Sequence, residues 1–558
     1  MCRMGILPGR EVGRCAGGAF LILALAVGLA KGELNCKVTS LGKVAADADA
    51  GSLVISPDGR HLAYVSKAGN KKRVVADGVL QPEFDDIPEA GLTEAGKTPA
   101  IRFSPDSQQV AYVAKIGNGM AVMLDGKPGK ICDKIIVGRF LFSPDSKHVA
   151  VVSEVGEKNK ERVVLDSAEG VIYDYIEDLL PRFSKDSQHL FYIARTGDQA
   201  FLIKDGKAVA NGASLSNLTF SPDAKRFAYT LRNAEKWQVI LDATPGKEYD
   251  SIGNNLLFSQ DSAHFFYTAR HSGTDVIVLD NKEIDTQGTI SEGVYAFDPL
   301  GVPAYVVLKQ TGWYLEHGKD EYGPFGNLYG QAMFSGDGKH LAFATGTKDG
   351  SERKMIIDGK EGEHFDYFPG DVEFSADGEH TYYLAEREKQ TFAVVDGTAA
   401  KIDGVLEFHF SPDGKRSAMS ARRGEKFYVL ADSKEGAPAD ATYGIVFSPD
   451  SKHLAYLTHA QGKMVDGTEQ GGQETLWVDG AAVISADEIG RLRYTDGHLI
   501  TTVRRGKQWR IRVDGTESQP FDELLVGGDV IVDPPAGFHV LGLKGGEYVR
   551  IEGEVPGK

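Results

Sequence analysis

The chain has 558 residues, more than one ordinary core holds, since domains run to about 100–200 residues and β architectures to about 250. Hydrophobic residues make up 42%, which separates it from disordered chains, and a formal net charge of −17 speaks against nucleic-acid binding, which needs a basic footprint. The 66 glycines recur at fixed places, so they report turn chemistry and not low complexity.

At the N-terminus, Arg3, Arg10 and Arg14 precede an apolar run over 19–30 that ends in the small residues Gly28 and Ala30. A positive flank, a short apolar core and a small-residue exit describe a secretory signal over 1–30, hence a periplasmic or secreted protein. The run is short for a bilayer span, so membrane contact is expected only through this segment if it stays uncleaved. Cys36 and Cys132 remain after cleavage. Export permits a disulfide between them, and each is equally readable as a buried thiol.

From residue 50 onward one phrase returns: an aromatic or apolar residue, then Ser-Pro-Asp-Gly or Ser-Pro-Asp-Ser, then a short apolar strand. Copies of Ser-Pro-Asp begin at Ser56, Ser104, Ser143, Ser221, Ser411 and Ser448, and degenerate ones at Ser184, Ser259, Asp298, Ser335, Ser375, Thr495 and Asp533. The thirteen copies lie mostly 36 to 41 residues apart. Each unit holds four strand-like runs, in the third unit 139–143, 148–153, 162–166 and 171–176. Proline presets φ for a type I turn, aspartate bonds its own backbone and glycine accepts positive φ, so the first strand folds back tightly on the second. An Asp-Gly turn follows the third strand, as at Asp77-Gly78, Asp125-Gly126 and Asp358-Gly359.

Four antiparallel strands every ~40 residues predict propeller blades in an all-β protein. Thirteen blades exceed the usual four to eight per ring, so tandem propellers are expected, 31–330 and 331–558, seven blades plus six, with six plus seven as the alternative. The last unit ends after its third strand, and residues 34–45 are placed to supply the missing outer strand. At these residues the Phe-Ser-Pro-Asp-(Gly/Ser)-Lys-x-(Leu/Val)-Ala-Tyr phrase resembles the WD repeat-like units of TolB-type propellers over about 50–558. The resemblance implies the fold. The TolB role does not transfer, because that family sets an α/β domain before one propeller. Prolyl oligopeptidases also carry such propellers, yet no Gly-x-Ser-x-Gly elbow occurs here.

Seven histidines share the slot after the Ser-Pro-Asp turn: His61, His148, His189, His264, His340, His380 and His453. One per blade sets them apart around a ring, so no zinc site is expected, and a structural role at the start of the second strand is. The turn aspartates likewise have local duties, and neither metal nor cofactor is predicted. In an antiparallel meander the first and third turns share one face and the second turn lies on the other. That second turn begins with a basic residue in most units: Lys67, Lys115, Arg195, Arg232, Arg270, Arg422, Arg504 and Lys544, with Lys309 one place away. Lys71, Lys72, Arg73, Lys158, Lys160, Lys236, Lys354, Arg423, Lys426, Arg505 and Lys507 follow within these loops, and Glu154 and Glu386 interrupt the pattern. The insertion 461–475, His459 and Trp237, Trp313 and Trp509 belong to the same face.

Two functions are expected from this pattern. The first is a non-enzymatic exported scaffold engaging a protein or an anionic polysaccharide through the basic loops. The second is a carbohydrate-active lyase or hydrolase at a propeller mouth. An enzyme requires convergence, a carboxylate pair or Tyr/His/Arg cluster within about 10 Å, whereas a scaffold spreads its charges round the rim.

Overall fold

The computed structural model describes residues 33–93, 96–99, 101–156, 160–177, 181–465 and 468–556; the expected signal segment and Lys158 lie outside the described residues. The described chain is all-β, with thirteen blades. Blade 2 shows the pattern. Ile101–Phe103, Val110–Ile116, Gly119–Leu124 and Lys127–Pro128 pair antiparallel in chain order. The second strand is buried over Val110 to Ala114, which is why this run reads as continuously apolar. The fourth strand is exposed and forms the outer rim. First strands of adjacent blades touch one another, as Gly404–Phe410 touches Ala441–Phe447, so they line the centre.

Blade 13 is completed from the other end of the chain. Lys37–Lys43 pairs with Glu547–Glu554, outside Gly537–Lys544. Leu34 also bridges Ser518 of blade 12, and its N–H donates to the Glu517 carbonyl at 2.9 Å. The predicted outer strand within 34–45 is therefore present, and it closes the thirteenth unit.

Apolar clusters join each blade to the next around the whole chain. Blade 7 packs on blade 8 through Val306, Leu315, Leu341, Phe343 and Ile356. Blade 13 packs on blade 1 through Leu41, Leu541, Tyr548, Leu62, Tyr64 and Val75. The split into seven and six, at 330/331, is not shown. The junction where it was expected is an ordinary blade interface, with Phe325 against Phe343 at 5.8 Å, and the first and last blades are neighbours. Polar bonds reinforce that closure: Arg60 donates to Asp533 at 2.6 Å and to Glu552 at 2.8 Å, and His539 Nε2 meets the Asp58 carbonyl at 2.7 Å.

The Ser-Pro-Asp turns carry a second link between blades. Within a turn, Ser104 Oγ donates to Asp106 at 2.6 Å and accepts from Gln109 N at 3.0 Å, while Asp106 Oδ1 accepts from Gln108 N. Between turns, the Asp106 N–H donates to Ser146 Oγ of the next blade at 2.9 Å. The same bond joins Asp58 to Ser107, Asp145 to Ser187, Asp223 to Ser262 and Asp413 to Ser451. The receiving serine sits in the left-handed region, φ 65° at Ser146, where glycine is otherwise preferred. Its hydroxyl offsets that strain.

Two outcomes test this account. Leu41→Ala removes a buried side chain from the closing cluster and should lower unfolding stability by about 2–4 kcal/mol, read by chemical denaturation. Ser146→Ala keeps the positive φ and loses the bond, costing about 1 kcal/mol, whereas Ser146→Gly loses the bond but relieves the strain and should melt closer to the parent.

Candidate functional site

The two faces of the blades are built differently. On the face of the first and third turns, each slot histidine bonds the Asp-Gly turn of its own blade. His61 Nδ1 meets Asp77 Oδ2 at 2.5 Å, and the same pairs form between His148 and Asp166, His189 and Asp205, His264 and Asp280, His340 and Asp358, His380 and Asp396, and His453 and Asp479. The other carboxylate oxygen accepts from the first N–H of the second strand, as Leu341 N to Asp358 at 3.0 Å. Arg226 and Arg416 take the histidine's place opposite Asp242 and Asp432. The structural role expected for the seven histidines is thus seen, and the degenerate twelfth unit adds His498 with Asp514. The Asp358 and Asp396 carboxylates raise the His340 and His380 imidazoles above the ordinary range. The Ser-x-Asp carboxyls go the other way: the Ser143 hydroxyl, ahead of the Lys147 N–H, holds Asp145 at about 2.

The opposite face carries the eight predicted basic positions, one per blade in blades 1, 2, 4, 5, 6, 10, 12 and 13. They are not brought together. Most have partners close by. Arg195 donates to Glu177 at 2.7 Å, Arg270 to Asp275 at 2.7 Å and Arg504 to Glu488 at 2.9 Å. Arg422 donates to the Asp403 carbonyl at 3.0 Å and Lys544 to Gln519 at 2.7 Å. Arg232 lies over Trp237 at 5.7 Å, and Arg504 also lies over Trp509 at 5.8 Å. Lys67 and Lys115 are exposed, and neither ammonium has an acidic partner among the described residues.

Sequence reasoning followed the second turns and missed the connections between blades, which emerge on the same face. There an aspartate caps the second turn: Asp133 accepts from Gly156 N, Asp174 from Gly197 N, Asp250 from Ser272 N, Asp403 from Gly424 N and Asp522 from Gly545 N. Aspartates of these connections also clamp a lysine of the preceding blade. Lys72 meets Asp86 at 2.8 Å, Lys160 meets Asp174 at 3.1 Å and Lys426 meets Asp440 at 2.5 Å, and Lys236 pairs with Asp250. The Gly197 N–H and then Lys160 lower the Asp174 carboxyl; Lys426 and then the Gln461 N–H lower Asp440. The signal was present as an aspartate 19 to 23 residues before the turn it caps. Glu154, which breaks the basic pattern, is bound to Lys134 at 2.7 Å.

Other candidates are placed as follows. Trp509 is buried, and Trp237 and Trp313 are half-buried. The insertion 461–475 includes a hairpin, Lys463–Val465 with Thr468–Gln470. Cys36 and Cys132 are free and buried; burial, with Glu33 adding, pushes Cys36 up to about 11. Among the described residues no group of three or more His, Cys, Asp or Glu is arranged to hold a metal, and no helix is long and apolar enough to cross a membrane. On the central wall, His409 Nε2 lies 3.7 Å from Glu407, whose other oxygen accepts from Ile445 N at 2.7 Å. Burial raises the Glu373 carboxyl there, and Glu407 raises His409.

No family model matches the chain, and no curated protein matches it. Solved structures similar to it include a eukaryotic initiation factor (9% identity, 62% of this chain and 96% of that one, TM-score 0.30). They also include the β-propeller domain of the Trilobed protease from Pyrococcus furiosus (11%, 53% and 92%, TM-score 0.22) and TolB from Acinetobacter baumannii (12%, 59% and 79%, TM-score 0.18). At these identities the likeness concerns the propeller fold alone.

The His–Asp lacing makes a pH prediction. A raised folded-state pKa means that the contribution of His340 is complete below its unfolded value of about 6.5 and is lost as pH rises through the folded one. Asp358→Asn should return the His340 imidazole toward the ordinary range in an NMR titration, and should flatten the fall in melting temperature across that window.

Proposed function

We propose that the protein is an exported β-propeller scaffold that binds a protein or an anionic polysaccharide through the face carrying the second turns. The observation that carries this reading is the distribution of the eight candidate cations, one to a blade and spread round the face. Spread charge suits a long partner touching several blades, each contact contributing modestly and additively. The signal-like N-terminal run supports periplasmic or secreted placement. Neighbouring carboxylates distinguish some of these cations from others. Arg195, Arg270 and Arg504 are held by carboxylates, whereas Lys67 and Lys115 present their charge to solvent.

A second reading, a carbohydrate-active enzyme, is favoured by Glu373, Glu407 and His409 on the central wall, where burial and a neighbouring charge displace titrations toward neutrality. It requires turnover of an oligosaccharide that Glu373→Gln abolishes; binding without turnover leaves the scaffold reading in place.

Retention on a polyanionic resin at low salt tests the first reading. Charge reversal at Lys67 and Lys115 should cut retention strongly, and Arg422→Glu with Arg423→Glu less so, because Arg423 already pairs with Glu435. Both effects should vanish near 1 M salt, where screening is over about 3 Å. Equal retention of all variants at low salt defeats the proposal.

A further inference from the structure

The third strand of each blade enters from the second-turn face, and its residue two places before the buried centre meets the gap shared with the next blade. In blades 3, 6 and 11 this slot holds a carboxylate: Glu161, Asp275 and Glu474, two residues before Val163, Ile277 and Leu476. Each accepts from the first-strand N–H of the following blade. Glu161 takes Ile176 N at 2.7 Å, Asp275 takes Ile290 N at 3.2 Å and Glu474 takes Ile489 N. In blade 8 the slot, two residues before Met355, holds Arg353.

The substitution leaves donors facing donors. Tyr367 bridges Glu386, so Phe368 occupies the position that Ile176, Ile290 and Ile489 hold elsewhere. Its N–H has no acceptor among the described residues, and neither has the Arg353 guanidinium, whose Nε is fully buried. The guanidinium is instead stacked between Tyr329 at 4.0 Å and Tyr367 at 5.2 Å. Gly346 seats this stack: a Cβ there would fall 2.8 Å from Tyr329 Cε2. Between blades 8 and 9 a cavity of about 340 Å³ remains, lined by Arg353, Tyr367, Phe368, Gln331 and Asp371 among others.

We propose that this cavity receives the carboxylate of an acidic saccharide, which takes the place of the glutamate or aspartate that the slots of blades 3, 6 and 11 supply from the chain. This rests on the scaffold reading above and names its ligand class. A planar guanidinium held between rings pairs with a carboxylate in a fork, and burial strengthens the pairing. The volume suits one sugar ring at the low end of small-ligand sites. Tyr367, 46% exposed, offers an apolar face at the mouth. Asp371 repels a bare anion but accepts from hydroxyl groups, so the wall favours a sugar acid over an inorganic ion.

Calorimetric titration of the full chain with a galacturonate trimer tests the proposal, beside a neutral galactose trimer and inorganic sulfate at equal ionic strength. The galacturonate trimer should bind, and the neutral trimer and sulfate should bind at least tenfold more weakly. Arg353→Lys should weaken binding by about tenfold or more, since an ammonium cannot form the fork. Tyr367→Ala should weaken it several-fold, and both variants should melt like the parent. Absence of trimer binding by the parent, equal binding by Arg353→Lys and Tyr367→Ala, or equal binding of sulfate overturns the proposal. Resin retention that depends on Lys67 and Lys115 but not on Arg353 would keep the scaffold reading while removing this one.

Discussion

A carboxylate has two oxygens and about four acceptor directions, and the blades are held by turn aspartates that each accept at least two bonds within their own blade. In the Asp-Gly turn one oxygen fixes the start of the second strand and the other holds the slot histidine or arginine, as Asp358 does for Leu341 and His340. In the Ser-Pro-Asp turn the side chain closes the turn, while the N–H of the same aspartate reaches the next blade's serine. A repeat that buries both faces of its sheet needs its neighbours at a fixed distance, and the aspartate-to-serine bond links them on this face.

The same economy governs the opposite face. A lysine there that looks available in sequence is often one half of a clamp between blades, as Lys72, Lys160 and Lys426 are. Such exposed pairs contribute little to stability individually, but they decide which cations can meet a partner. Charge counted along a chain overstates charge offered to a ligand, because a paired lysine must first give up its aspartate. Lys67 and Lys115 escape that cost.

The repeat, its four strands and its turn chemistry were legible because each is local: φ preferences, alternation and a hydroxyl two residues from a carboxyl. The closing strand was legible too, since a unit ending at its third strand demands a partner, and the stretch 34–45 ahead of the first blade carries the apolar Leu41. The ring partition was not. The interface of blade 7 with blade 8 is an apolar cluster like those between the other blades, and curvature is the sum of small rotations that no single interface encodes. The acid row was missed because its aspartates act on turns 19 to 23 residues later, a spacing that has meaning only after the strands are paired.

Arg353 shows what a repeat conceals and what it reveals. In sequence it is one more arginine beside Lys354. Set in register with Glu161, Asp275 and Glu474 it becomes an inversion of charge at a slot whose geometry is conserved by the fold itself. The Arg353 Nε is buried without an acceptor among the described residues, and a buried donor left unpaired costs about 1–3 kcal/mol. The aromatic stack compensates the arginine only in part, since π faces attract the cation without satisfying its N–H groups. Blade 8 puts a guanidinium where blades 3, 6 and 11 put a carboxylate, and the cavity beside it offers a position that a ligand carboxylate fits by charge, by donor geometry and by size.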